Sequence, residues 1–120
     1  MLAITPTMEL LERAVEVSAL KQSVYAANIA NANVDGYRRM EVSFDRELER
    51  VAMQMASSQA GTVEAAFSTN AAQVVSTNDV VKLDEEMGLM AKNALTYQTL
   101  LGAYEKSLGL LRVAIKEGRE

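Results

Sequence analysis

The sequence contains no cysteine, no histidine and no tryptophan. Without cysteine, the chain has no disulfides, no thiolate metal sites and no thiol nucleophiles. Without histidine, the commonest general base and the commonest transition-metal ligand are both missing, which excludes a Ser-His-Asp triad and a His-ligated zinc site. We therefore expect that the chain is not an enzyme and that it holds no cofactor and no metal.

Turn-forming and aromatic residues are also scarce. One proline and six glycines in 120 residues are too few for a protein of many β-hairpins, and aromatic residues make up only 5%. The hydrophobic content of 49% therefore comes mainly from Ala, Leu, Val and Met, which favour helix packing over a sheet sandwich. The length is that of one ordinary domain, so a single domain over residues 1–120 is expected.

Two further absences concern partners and location. The net charge of −4 argues against a nucleic-acid binder, which needs clustered positive charge. No apolar run reaches about 18 residues, so no transmembrane helix is predicted. The N-terminus lacks the basic region and long apolar run of a secretory signal, so any export is expected to proceed without a cleaved signal peptide.

The two ends of the chain have helical patterns. Thr5 and Pro6 are typical of a helix start, and the apolar spacing that follows predicts an N-terminal helix over 5–33. Near the other end, heptad spacing predicts a C-terminal helix over 79–117. The expected fold is mainly α, with the two long helices packed as an antiparallel coiled-coil-like pair.

The middle of the chain, residues 34–78, has a mixed pattern. A turn is followed by alternating apolar and polar residues up to Phe44, which predict an extended arm. The spacing changes after Phe44 and predicts a short helix over about 45–56. Residues 57–78 are rich in Ser, Ala, Thr, Gln, Gly and Asn, which predicts a flexible linker.

The heptad pattern of the C-terminal helix is the strongest signal in the sequence. Apolar residues recur at alternating spacings of four and three, the a and d positions of a seam that pairs with the N-terminal helix or with other subunits. These predicted seam residues are Leu83, Met87, Met90, Ala94, Tyr97, Leu101, Tyr104, Leu108, Leu111 and Ile115.

A column of glycines lies beside this seam. Gly88, Gly102 and Gly109 fall on one line along the helix, and each costs about 1 kcal/mol relative to alanine in a helix interior. We interpret them as a close-packing column against another backbone. The apolar face is also wider than one partner helix covers, which favours assembly with other subunits. The alternative is a monomeric bundle in which residues 45–75 fold back over this face.

Three small groups of polar residues have competing interpretations. The acidic run Asp84-Glu85-Glu86 is best explained by the positive end of the helix macrodipole rather than by catalysis or cation binding. The pair Arg38-Arg39 is best explained as solvated. The asparagines Asn28, Asn31 and Asn33 either cap the first helix locally or bond to the backbone of a packed neighbour and set its register.

The segment from Asn28 to Arg39, NIANANVDGYRR, resembles a known signature. Bacterial flagellar rod, hook and hook-associated proteins have a pattern of roughly A-N-I-A-N-x-x-T-P-G-Y-K/R at the end of an N-terminal helix. The stretch from Val81 to Met87, with Ala91-Lys92-Asn93 beyond it, is similar to the C-terminal part of that signature. The signature turn implied here consists of Asn28, Asn31, Asn33, Gly36 and Tyr37.

The resemblance implies a structural subunit of the flagellar basal-body rod, of the proximal rod type. Such subunits are exported by the flagellar type III export apparatus without signal cleavage and lie in the periplasm. Through their terminal helices they assemble with copies of themselves, with other rod proteins and with the rod-to-membrane-ring adaptor, forming a helical tube that transmits torque. Neither nucleic acid nor a small-molecule substrate is an expected partner.

A second hypothesis comes from a different class of protein. The wide apolar face would also suit a soluble helical export chaperone or adaptor that binds a client helix. Such a protein would stay in the cytoplasm as a compact dimer and would be absent from purified basal bodies.

Overall fold

The computed structural model describes residues 6–44, 53 and 72–118. Two long helices dominate this part of the chain, α1 over Pro6–Ala30 and α2 over Leu83–Gly118. Two short strands lie between them, β1 over Met40–Ser43 and β2 over Gln73–Ser76. The predicted mainly α fold with two long packed helices is confirmed.

Helix α1 begins at a proline, whose missing N–H has no role in the first turn. It ends at Ala30, three residues before the predicted end. The chain leaves the helix there because the N–H of Asn31 still bonds to the oxygen of Ala27, whereas the N–H of Ala32 bonds to Ile29 in a tighter turn. Met8, Val17 and Val24 are the buried apolar residues of this helix.

The chain then reverses through a turn centred on Gly36. This residue has φ +81°, in the left-handed region that glycine adopts without a steric penalty. The N–H of Tyr37 bonds to the oxygen of Val34 and closes the turn. The reversal directs the chain back along α1 toward β1.

Substituting Gly36 tests this turn. We expect Gly36→Ala to lower the free energy of unfolding by about 1 kcal/mol, since a side chain disfavours φ +81° although no atom lies within 4 Å of the new Cβ. Gly88→Ala is the control, because it lies inside α2 with equal space and should raise stability by up to about 1 kcal/mol. Urea titration of both variants measures the two effects, and equal signs would contradict the argument.

The strands form a two-stranded antiparallel sheet with Met40 opposite Ser76 and Ser43 opposite Gln73. In β1 the burial alternates, with Met40 and Val42 half-buried against α1, as the alternating sequence predicts. The pairing continues beyond the strands, because the N–H of Arg39 bonds to the oxygen of Asp79 at 2.7 Å. Phe44 is buried directly after β1.

Strand β2 differs from the sequence prediction, which placed residues 73–76 in a flexible linker. All four of its residues are exposed, so they lack the alternation from which a strand is normally recognised. Residues 73–76 form a strand because their backbone pairs with that of β1. The predicted short helix over 45–56 lies outside the described residues, except for Met53, which is helical and exposed.

Helix α2 begins at Leu83, later than the predicted start near residue 79, and its last residue is Gly118. Its acidic first turn and basic last turn match the macrodipole. It packs along α1 in the antiparallel sense, because Asn28 contacts Glu86 whereas Ser18, further back on α1, contacts Asn93.

Candidate functional site

A buried polar cluster joins α1, β1 and α2 where the three elements meet. Its centre is Asn28, whose side chain is fully buried. The Nδ2 of Asn28 donates to the backbone oxygen of Met40 at 2.9 Å and to Oε2 of Glu86 at 2.7 Å. Its Oδ1 accepts from the N–H of Met40 at 3.0 Å and from the hydroxyl of Tyr37 at 2.9 Å. One amide therefore fixes the position of the turn, the strand and the second helix.

Glu86 is the acidic member of this cluster and is 1% exposed. Its Oε1 accepts from Nε of Arg39 at 2.7 Å, and Arg39 also forms an ion pair with Glu41. A buried carboxylate is tolerated only when it is paired and hydrogen-bonded, and here both oxygens have partners. The polar cluster, defined as Asn28, Tyr37, Arg39 and Glu86, is fully satisfied.

These contacts correct two interpretations made from the sequence. The macrodipole explanation of the acidic run is incomplete for Glu86, because its carboxylate also pairs with the guanidinium of Arg39. It still suits Asp84 and Glu85, which are exposed in the first turn. The expectation of a solvated arginine pair holds for the exposed Arg38 and is wrong for Arg39.

The electrostatics of Arg39 favour its charged form. Burial disfavours the charge, yet the hydrogen bonds and negative charges of Glu86 and Glu41 outweigh it and raise the pKa of Arg39 above its ordinary value. The guanidinium therefore remains a permanent cation in contact with the buried carboxylate.

The asparagines of the signature turn have different roles. Asn28 bonds to the backbone of β1, a packed neighbour, whereas Asn31, directly after α1, donates to the oxygen of Ala27 in the last turn of α1 at 2.8 Å. Asn33 and Gly36 are exposed in the turn, and the hydroxyl of Tyr37 reaches back to Asn28. The structure thus brings Asn28 and Tyr37 into one cluster and leaves the other three outside it.

A second polar contact lies between the helices about two turns further along α2. The buried Asn93 donates from Nδ2 to the backbone oxygen of Ser18 and to Oε1 of Gln22, both at 2.8 Å. Its Oδ1 accepts from the hydroxyl of Ser18 at 3.1 Å. Because an amide pairs only at one helix offset, this contact fixes the register of α1 against α2.

The predicted seam residues surround this contact line without forming its centre. Glu86 and Asn93, the buried residues of α2, are seven apart and lie one column beside the predicted seam. Leu83 and Met87 are about half exposed. The remaining eight are half-buried: Met90, Ala94, Tyr97, Leu101, Tyr104, Leu108, Leu111 and Ile115.

The side of α2 that faces away from α1 carries apolar residues in solvent. Leu95, Leu110 and Val113 are 67%, 64% and 54% exposed. Gly88, Gly102 and Gly109 lie close to them on the same side, and no atom lies within 4 Å of a Cβ placed on any of the three. We call this surface, defined by these six residues, the outer face of α2. Within the chain, the glycine column therefore has no described partner.

The described residues contain no helix long and apolar enough to cross a membrane. Among the same residues, no group of three carboxylates or other ligands is arranged to hold a metal ion. The features that remain to be explained are the buried polar cluster and the outer face of α2.

Comparison with known proteins gives the family of the chain. A family model described as flagella basal body rod protein matches residues 8–38, which span most of α1 and the whole signature turn. The flagellar basal body rod protein FlgB of Escherichia coli K12 is 30% identical over 121 residues, covering 85% of this chain and 88% of that protein. The chain belongs to the FlgB family of rod proteins.

Other FlgB family members support the same assignment. FlgB of Salmonella typhimurium LT2 is 29% identical over 118 residues, covering 81% of this chain and 86% of that protein. FlgB of Bacillus subtilis 168 is 25% identical over 123 residues and covers 94% of this chain. The resemblance inferred from the signature turn is confirmed. These alignments cover 81% and 94% of the chain, far more than the signature turn.

Sequence reasoning missed several residues that position this FlgB-type fold: Ser18, Arg39, Glu86 and Asn93. A signal existed for Asn93, since an asparagine within a heptad pattern of apolar residues often sets the register of a partner helix. Arg39 and Glu86 gave none, because each is a charged side chain whose partner lies 47 residues away.

Proposed function

We propose that the chain is a structural subunit of the proximal part of the flagellar basal-body rod. Membership of the FlgB family is the observation that carries this proposal. The exposed apolar residues of α2 support it, since a large apolar surface in solvent marks a site of protein association. The same membership argues against the alternative of a soluble export chaperone or adaptor.

In this proposal the buried contacts make the two helices one rigid unit. The polar cluster holds the sheet and the start of α2 on α1, and Asn93 fixes the helix register further along. A rigid unit presents the outer face of α2 at a constant angle to neighbouring subunits. Constant geometry is what a repeating helical tube that transmits torque requires.

We further propose the location and partners of the subunit. It lies in the periplasmic part of the basal body and arrives through the flagellar type III export apparatus without signal cleavage. It contacts copies of itself, other rod proteins and the adaptor that joins the rod to the membrane ring. Its function is assembly, and it carries out no catalysis.

Fractionation of cells tests this function directly. A tagged full-length chain should be found in purified flagellar basal bodies, and cells that lack the chain should be non-motile. Retention in the cytoplasm together with absence from basal bodies would contradict the rod proposal and would support the export adaptor.

The glycine column offers a sharper test at one residue. We expect Gly102→Leu to leave the stability of the isolated chain unchanged or to raise it by up to about 1 kcal/mol, since leucine is a better helix former and the space is open. The same variant should abolish incorporation into basal bodies, because the leucine would displace a closely packed backbone. Urea unfolding and basal-body purification measure the two effects.

Lys92→Leu provides the control. Lys92 is exposed on α2 and gains the same side chain outside the glycine column. It should assemble normally. Normal assembly of Gly102→Leu as well would contradict close packing at the column.

A further inference from the structure

The two helices differ in length, which leaves one end of α2 beyond the described part of α1. Helix α1 has 25 residues and α2 has 36. Ser18 lies opposite Asn93 in the antiparallel pair. Because the helices are antiparallel, the residue of α2 opposite Pro6 lies as far after Asn93 as Pro6 lies before Ser18. That residue is Glu105. Helix α2 therefore continues past the described part of α1 by about 20 Å at 1.5 Å per residue.

This projecting end carries a distinct face. Spacings of three, one and three residues place four residues on one side of the helix: Gly109, Arg112, Val113 and Lys116. Val113 and Leu110, one turn before it, are mostly exposed, and Arg112 and Lys116 are exposed as well. In the described part of the chain, neither of these two cations forms an ion pair. We call this set, with Leu110, the C-terminal face.

A groove lies at the other end of the helix pair. It has a volume of about 550 Å³ and runs between α1 and α2. The wall on α1 includes the small exposed residues Ala19, Ser23 and Ala26, and the wall on α2 includes Ala94 and Tyr97. Small side chains on one wall allow another helix to approach closely.

The charges beside the groove are opposite to those of the C-terminal face. Glu12 and Glu16 are exposed on α1 and lie on the same side as Ala19 and Ser23. The two glutamates are four residues apart, as are Arg112 and Lys116. Equal spacing along two helices allows both ion pairs to form at once.

We propose that the C-terminal face of one subunit docks in the groove of a second copy of this chain. In an antiparallel approach Arg112 pairs with Glu16 and Lys116 with Glu12, which places Leu110 beside Ala19 and Val113 in the turn before it. The two docked surfaces are different, so the contact is heterologous. Each dimer therefore keeps one unoccupied C-terminal face and one unoccupied groove. Such a contact grows into an open chain of subunits. This inference rests on the proposed rod function and specifies which surfaces meet.

Site-specific cross-linking tests the contact cleanly, because the natural chain has no cysteine. Cells express two full-length copies, one with Ala19→Cys and one with Val113→Cys, and isolated basal bodies are treated with a short bismaleimide. We expect a cross-linked dimer when both variants are present and none when either is present alone. Lys92→Cys in place of Val113→Cys is the control and should give no dimer.

Other results would overturn the inference in distinguishable ways. Cross-linking of Val113→Cys to itself would show a symmetric contact between like faces. Cross-linking to a different rod protein would replace the second copy as the occupant. If basal bodies contain the chain but give no cross-link, the docking is refuted and the rod function stands. If basal bodies lack the chain, the rod function itself is refuted.

Charge reversal gives an independent readout. We expect Glu16→Arg alone, or Arg112→Glu alone, to lower the cross-linking yield by about fivefold, the effect of one surface ion pair. Combining both reversals should restore the yield. Equal loss in the double variant would contradict the pairing.

Discussion

Replacing Asn28 with alanine should lower the free energy of unfolding by about 3 kcal/mol, because each buried polar group left without a partner costs about 1–3 kcal/mol. The side chain is fully buried and makes four hydrogen bonds, to the backbone of Met40, to Tyr37 and to Glu86. A loss of this size is a large share of the roughly 5–15 kcal/mol that stabilises an ordinary domain. Urea unfolding followed by circular dichroism measures it.

Asn31→Ala is the matched control. Asn31 is the same residue type three residues further along the chain, directly after α1, and its amide makes a single exposed bond to Ala27. The expected loss is about 0.5 kcal/mol or less. Similar losses for the two variants would contradict a special role for Asn28 and would indicate a general effect of removing asparagine from the helix end.

Replacing Glu86 with alanine should have an effect at least as large. Removal of one member of a buried ion pair costs up to about 3–5 kcal/mol, and the pair of Arg39 with the exposed Glu41 places this variant near the lower end of that range. Here Arg39 would lose its buried partner, and Nδ2 of Asn28 would lose one acceptor. We also expect the N-terminal part of α2 to separate from β1, which hydrogen exchange of the amides over residues 39–42 would detect as faster exchange.

Two further variants define the origin of this effect. Glu85→Ala removes the neighbouring carboxylate, which is exposed, and should change stability by about 0.5 kcal/mol or less. Glu86→Gln keeps the shape and one acceptor oxygen, so its loss should lie between those of Glu85→Ala and Glu86→Ala. A Glu86→Ala variant as stable as the natural chain would refute the buried ion pair.

The sequence predicted the helices well because their signal is local. The heptad spacing from Leu83 to Ile115 depends only on residues within α2. The start of α1 is likewise marked by a proline in α1 itself. Periodicity also predicted a seam on α2, and the buried residues Glu86 and Asn93 lie in the column beside it. It could not choose between adjacent columns, because apolar residues occupy several of them.

The polar cluster could not be predicted from the same kind of signal. A charged residue such as Glu86 is usually in solvent, and nothing near it in sequence indicates burial. Its burial depends on Arg39, which α1 and the turn at Gly36 bring to the same place. Strand β2 has the same origin, since its exposed residues become a strand only through pairing with β1.

The cluster also bears on the order in which the chain folds. Asn28 and Glu86 are 58 residues apart, and Ser18 and Asn93 are 75 apart. Contacts of such long range pay the entropy of loop closure before they contribute stability, which slows folding. A chain that emerges from its N-terminus first can therefore form helix α1 early, but that helix stays without its partner until the last third of the sequence is available.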